Sequence, residues 1–100
     1  MTMMTNNNFE YMNKVHELLI RLNTTAHDLK EIKSQFILQN KGAKALDDII
    51  FINDNYIILL KNYLNNKFDD IVHEKDKAKI QIMHQHYLSA KNIINHFKSI

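Results

Sequence analysis

From Phe9 to about Gln39 the apolar residues Tyr11, Met12, Val15, Leu18, Leu19, Leu22, Ala26, Leu29, Phe36 and Ile37 keep a single helical phase for about eight turns. Glu10, Asn13, Glu17, Arg21, Thr24, Asp28, Glu31, Gln35 and Gln39 fall on the opposite side. The pattern predicts one long amphipathic helix over 9–39. A rival break at Asn23-Thr24-Thr25, where Thr25 and Asp28 resemble a capping box, conflicts with the unbroken phase. The first eight residues, MTMMTNNN, read as a disordered polar leader without the apolar core of a signal peptide.

Asn40-Lys41-Gly42-Ala43 is the clearest stop, because Gly42 can take the left-handed conformation that closes a helix. A second helix follows over 44–72, and its part from Ala45 to Leu64 is the most apolar stretch of the chain. Wound at about 100° per residue, it gathers Leu46, Ile49, Ile50, Ile52, Tyr56, Ile57, Leu59, Leu60, Tyr63 and Leu64 on an arc about 180° wide. So broad an arc calls for two neighbours, which predicts that this helix is the central scaffold. Phe51 and Ile58 form a second, smaller apolar strip on the far side, among Asp47, Asp54, Asn55 and Asn62.

Asn53 lies inside the arc on the row Leu46, Asn53, Leu60. An amide buried there without partners costs about 1 to 3 kcal/mol, so it should be hydrogen-bonded. An Asn at such a position is one means of fixing register or oligomeric state.

The next boundary has two candidates: His73 to Asp76, with Asp76 as a cap, and Asn65-Asn66. The first leaves helices of more even length. A third helix over 76–98 then carries Ile80, Met83, Tyr87, Ala90, Ile94 and Phe97 at coiled-coil-like spacing. The expected fold is all-α, an antiparallel three-helix bundle forming a single domain over 9–100. A four-helix bundle, or a helical hairpin that dimerises, is the alternative.

Composition narrows the function. With no Cys, neither a disulfide frame nor a thiolate metal site can form. No apolar run approaches the roughly 20 residues of a membrane span, and a cytoplasmic location follows by default. A net charge of +2 argues against a dedicated polyanion binder.

Six His residues raise the question of metal binding. His84 and His86 diverge by about 200° on a helix. Asp70 and His73 have the spacing of half a di-iron motif but lack its Glu ligands. No metal or other cofactor is therefore expected. His86 falls within the apolar arc of the third helix. If it is buried without a carboxylate, desolvation disfavours its charged form, so protonation should loosen the bundle.

Lys77, His84, Lys91 and Lys98 recur every seven residues as a basic edge beside that arc, a candidate docking edge for an acidic partner. No interleaved aromatic face accompanies it, so nucleic acid is an unlikely partner.

Two resemblances involve His27. Arg21 and His27 are spaced as in the Arg-x(4-6)-His motif that the chain shares with HEPN-type ribonucleases. That resemblance implies phosphate steadying by Arg21 and proton transfer by His27 in a helical bundle. Ala26-His27-Asp28-Leu29-Lys30 resembles the core of histidine phosphotransfer domains, with Glu31 where that family has a small Gly. The loop at Gly42 resembles small WXG-type hairpins, although Asn40 stands where their Trp would be and no tail motif follows.

The reading favoured by the whole pattern is a non-enzymatic helical protein that binds a partner protein as an inhibitor, adaptor or immunity factor, plausibly encoded by a phage or mobile element. Phe51, Ile58, Lys77, His84, Lys91 and Lys98 are its candidate contacts, Asn53 and His86 its polar core positions, and a homodimer is compatible with it. The alternatives are a HEPN-like ribonuclease and a nucleic-acid-associated protein using the Lys/His stripe.

Overall fold

The computed structural model describes residues 6–38, 44–65 and 73–99, with side-chain environments in the first segment from residue 9 to 35. The described residues form three α-helices packed on one another: α1 (Asn6–Leu38), α2 (Lys44–Asn65) and α3 (Glu74–Lys98). No strand occurs among them.

Two apolar clusters fix the topology. One joins Val15, Leu18, Leu22 and Ala26 of α1 to Ile57 and Leu60 of α2 and to Ile80 and Met83 of α3. The other joins Leu29 and Ile32 to Leu46 and to Ala90 and Ile94. The first half of α1 thus meets the second half of α2 and the first half of α3, which makes an up-down-up bundle. Its extents are 62 × 23 × 18 Å, and α1, with 33 residues, spans about 50 Å of the long dimension.

The centre of that rod is α1, which corrects the expectation that α2 is the sheathed scaffold. Val15, Leu18, Leu22, Thr25, Ala26, Leu29 and Ile32 are buried along one side of α1, whereas α2 buries only Leu46, Asn53, Ile57 and Leu60. Most of the apolar arc of α2 is buried or half-buried, but Ile52 and Leu59 at its edge stay exposed. The reason is tertiary: α2 and α3 each pack chiefly on α1 and touch one another least.

Several boundaries also differ from expectation. Helix α1 begins at Asn6, so residues 6–8 belong to it rather than to a leader. As the uninterrupted apolar phase predicts, it runs unbroken through Asn23-Thr24-Thr25, whose side chains bond back to the carbonyls of Leu19, Ile20 and Arg21, four residues earlier. The described part of α2 stops at Asn65, and residues 66–72, assigned to that helix from sequence, lie outside the described residues. Gly42 lies outside them too.

The N-cap of α3 is His73, in extended conformation and without a side-chain cap bond, so Asp76 is not the cap. Asp76 instead stands with Glu74 in the first turn, where a carboxylate favours the positive end of the helix dipole.

Candidate functional site

Three features stand out from the packing: a buried polar node, an apolar ridge and a charged groove.

The node is centred on Asn53. Its side chain is fully buried, and its Nδ2 donates to the Leu22 carbonyl of α1 at 2.9 Å. Its Oδ1 lies 2.9 Å from Nε2 of His86 on α3. One amide therefore ties the middle helix of the sequence to both neighbours. Because the amide donates through nitrogen to Leu22, its oxygen must accept, and Nε2 of His86 must carry the proton.

His86 is half-buried, with the Tyr56 ring packed edge-on at 5.2 Å. Burial lowers its pKa from the ordinary 6.5, and no carboxylate is paired with it among the described residues. The hydrogen bond to Asn53 is available to the neutral and the charged ring alike, so desolvation governs the shift. Thr25, also buried, donates to the Arg21 carbonyl at 2.8 Å, next to the carbonyl that Asn53 uses. Sequence periodicity places Asn53 and His86 in their apolar arcs, but neither their mutual bond nor Thr25 was foreseen.

The ridge runs along the outer side of α2. Phe51 is 68% exposed, Ile58 55%, Leu59 51% and Ile52 41%. Phe51 and Ile58 are the strip anticipated from sequence. Ile52 and Leu59 widen it because α3 does not reach over them. Leu59 also lines a groove of about 380 Å³ with Leu60 and Tyr63 of α2 and Lys79, Ile80 and Met83 of α3.

The second groove, about 740 Å³, opens between α1 and α3. Lys14, Glu17 and Arg21 stand on one wall, and Glu74, Lys77 and His84 on the other. Arg21 pairs with Glu17 at 3.7 Å and sits 5.8 Å over the Tyr87 ring. Lys77 pairs with Glu74 at 3.6 Å and lies 5.7 Å over the ring of Tyr11. Burial, then Tyr63, Asp76 and Glu74 nearby, push the Tyr11 hydroxyl above its usual range.

The basic edge is thus partly used inside the chain. Lys98 reaches Asp28 of α1 at 3.7 Å, and His84 contacts the Tyr87 ring, while Lys91 is exposed without an ion pair among the described residues.

Arg21 and His27 are not brought together. Arg21 faces Tyr87 of α3, whereas the His27 side chain is 78% exposed, 3.8 Å from Glu31. The Glu31 carboxylate lies 3.8 Å from Nε2 of His27, and a negative charge there is electrostatically adverse to an incoming phosphoryl group. His84 and His86 belong to different environments, and no group of three metal-ligating side chains occurs among the described residues. Asp70, the other half of the His73 spacing, lies outside those residues. No described helix is long and apolar enough to cross a membrane.

Comparison of the chain with known protein families, curated proteins and solved structures finds no match.

Proposed function

We propose that this protein acts by binding another protein, using the outer ridge of α2 as its contact surface and carrying out no reaction of its own. The observation that supports this is the ridge itself: four large apolar side chains, Phe51, Ile52, Ile58 and Leu59, are exposed around Asn55 on the outer side of one helix, twice as many as α1 or α3 leaves exposed among the described residues. Contiguous exposed apolar surface carries a solvation cost that contact with a partner relieves. Aromatic residues ringed by polar ones are common energetic centres of interfaces, and Phe51 sits between Asp48, Asn55 and Ile58 on the helix surface.

Lys91, with Lys77, His84 and Lys98, supplies a second and weaker edge for acidic groups on a partner. An inhibitor, adaptor or immunity factor would each use such surfaces. The test is capture of partners by wild type and by Phe51→Asp. The substitution should abolish capture while leaving the helical circular-dichroism spectrum and the melting transition in place. Undiminished capture by a folded Phe51→Asp protein would overturn the reading.

A further inference from the structure

The ridge has a polarity along its length that points to a particular occupant. The charges of α2 are divided. Asp47, Asp48 and Asp54 lie in its first half, with Lys44 at its start, and Lys61 is the only charged residue in its second half. Asp47 and Asp54 are partly engaged by Lys33 and Lys30 of α1. Lys61 is exposed and has no ion pair among the described residues, and the same holds for Asp48. The apolar ridge lies between these two ends.

We infer that the ridge is covered by α2 of a second copy of this chain, running antiparallel about a twofold axis that crosses the helix beside Asn55. This inference rests on reading the ridge as a contact surface, and it names the partner.

The antiparallel choice follows from charge and register. A twofold beside Asn55 brings Phe51 of one copy level with Ile58 of the other, so the two most exposed apolar side chains of the ridge pack on each other twice. It also brings Lys61 of each copy level with the Asp47-Asp48 turn of its partner and on the flank that carries Asp47. A parallel pairing would set acid beside acid and leave Lys61 facing Lys61. The contact is isologous, so it closes as a dimer and does not propagate. Asn55, near the middle of the exposed face, lies closest to the axis, where the amides of the two copies can hydrogen-bond to each other. A seam between antiparallel helices repeats at alternating spacings of three and four residues. Phe51, Asn55, Ile58 and Asn62 have that spacing, with Phe51 and Ile58 as the apolar knobs and Ile52 and Leu59 adding apolar area beside Asn55.

The natural absence of Cys provides a direct test. Molar mass is measured by light scattering across a dilution series for wild type, Phe51→Asp, Ile58→Glu and Lys61→Glu. Disulfide formation is followed for Asn55→Cys, with Asn92→Cys on the outer side of α3 as the control. Wild type should dimerise, Phe51→Asp and Ile58→Glu should each raise the dissociation constant about 30-fold or more, and Lys61→Glu should raise it several-fold. The two ridge variants guard against one of them failing to fold.

Because a disulfide requires Cα atoms within about 7 Å, Asn55→Cys should cross-link readily and Asn92→Cys only slowly. A wild type that stays monomeric throughout the series overturns the inference. So does a dimer indifferent to both ridge substitutions, or one in which Asn55→Cys cross-links no faster than Asn92→Cys. A monomeric chain that still loses a foreign protein on Phe51→Asp ends this inference and leaves the broader partner reading intact.

Discussion

The seam between α1 and α2 and the seam between α2 and α3 differ in kind. The first is closed: Leu22 and Leu29 of α1 are wholly buried with Leu60 and Leu46 of α2 in the same clusters, and the Lys30–Asp54 and Lys33–Asp47 ion pairs bridge its outer edge. The second is held by the Asn53–His86 contact, the Tyr56 ring and the share that Ile57, Leu60, Ile80 and Met83 take in the first cluster, and no ion pair crosses it among the described residues. Beyond those contacts it opens into a groove with Leu59 on its wall. A single helix can thus be core on one side and interface on the other. What separates the two sides is the reach of the neighbouring helix, since each side of α2 carries large apolar residues, the outer one interspersed with Asp48, Asn55 and Asn62.

Substitutions can sharpen that contrast, and the largest effect should come from the closed seam. Leu22→Ala empties a fully buried site on α1 and should cost about 3 to 5 kcal/mol in a denaturant titration. Asn53→Ala comes next. It removes the bond to Leu22, strands the Nε2 proton of His86 and leaves a cavity, for a loss of about 2 to 3 kcal/mol. Asn53→Asp tests the amide role separately. It keeps the shape, replaces the donor to the Leu22 carbonyl by an acceptor, and should be at least as costly at neutral pH.

A smaller effect belongs to His86 and has a definite sign. Its folded pKa lies below the unfolded value of 6.5, so the unfolded chain binds more protons. The stability it contributes is fully present above about pH 7 and is lost as pH falls through 6.5 toward the folded value. Wild type should therefore weaken across that interval, and the part of the decline due to this group should vanish in His86→Gln. A His86 resonance titrating at the ordinary value by NMR would remove this contribution. The smallest effect should be Phe51→Asp in the monomer, within about 0.5 kcal/mol of wild type, because that side chain touches little of its own chain.

Much of this was legible in the residues. The 3.6-residue period gives three helices, and the wheel of α2 places Asn53 among buried neighbours and Phe51 with Ile58 outside them. The likeness of the periodic signals hid the order of burial. Each helix carries its own apolar face, and only the tertiary pairing decides which one is enclosed by two others. Helix α2 is the more apolar, yet α1 is the more buried, since its 33 residues run the length of both clusters.

At Asn23, Thr24 and Thr25 the unbroken apolar phase outweighs turn-forming chemistry, and the structure agrees: inside the packed helix these side chains satisfy themselves on preceding carbonyls. Ile32 is different: its spacing from Leu29 and Phe36 carried the signal for burial, and that signal was overlooked.

The most direct measurement sets neighbouring residues of α2 against each other. Leu59 and Leu60 share residue type, helix and intrinsic propensity, and they differ in that one is half exposed and the other wholly buried. Denaturant unfolding of Leu60→Ala and Leu59→Ala, at a dilution where the chain is monomeric, should show a loss of about 2 to 4 kcal/mol for the first and under about 1 kcal/mol for the second. Equal losses, or a greater loss at Leu59, would mean that α2 is enclosed on both sides, and the account of a one-sided helix with a free ridge would be wrong.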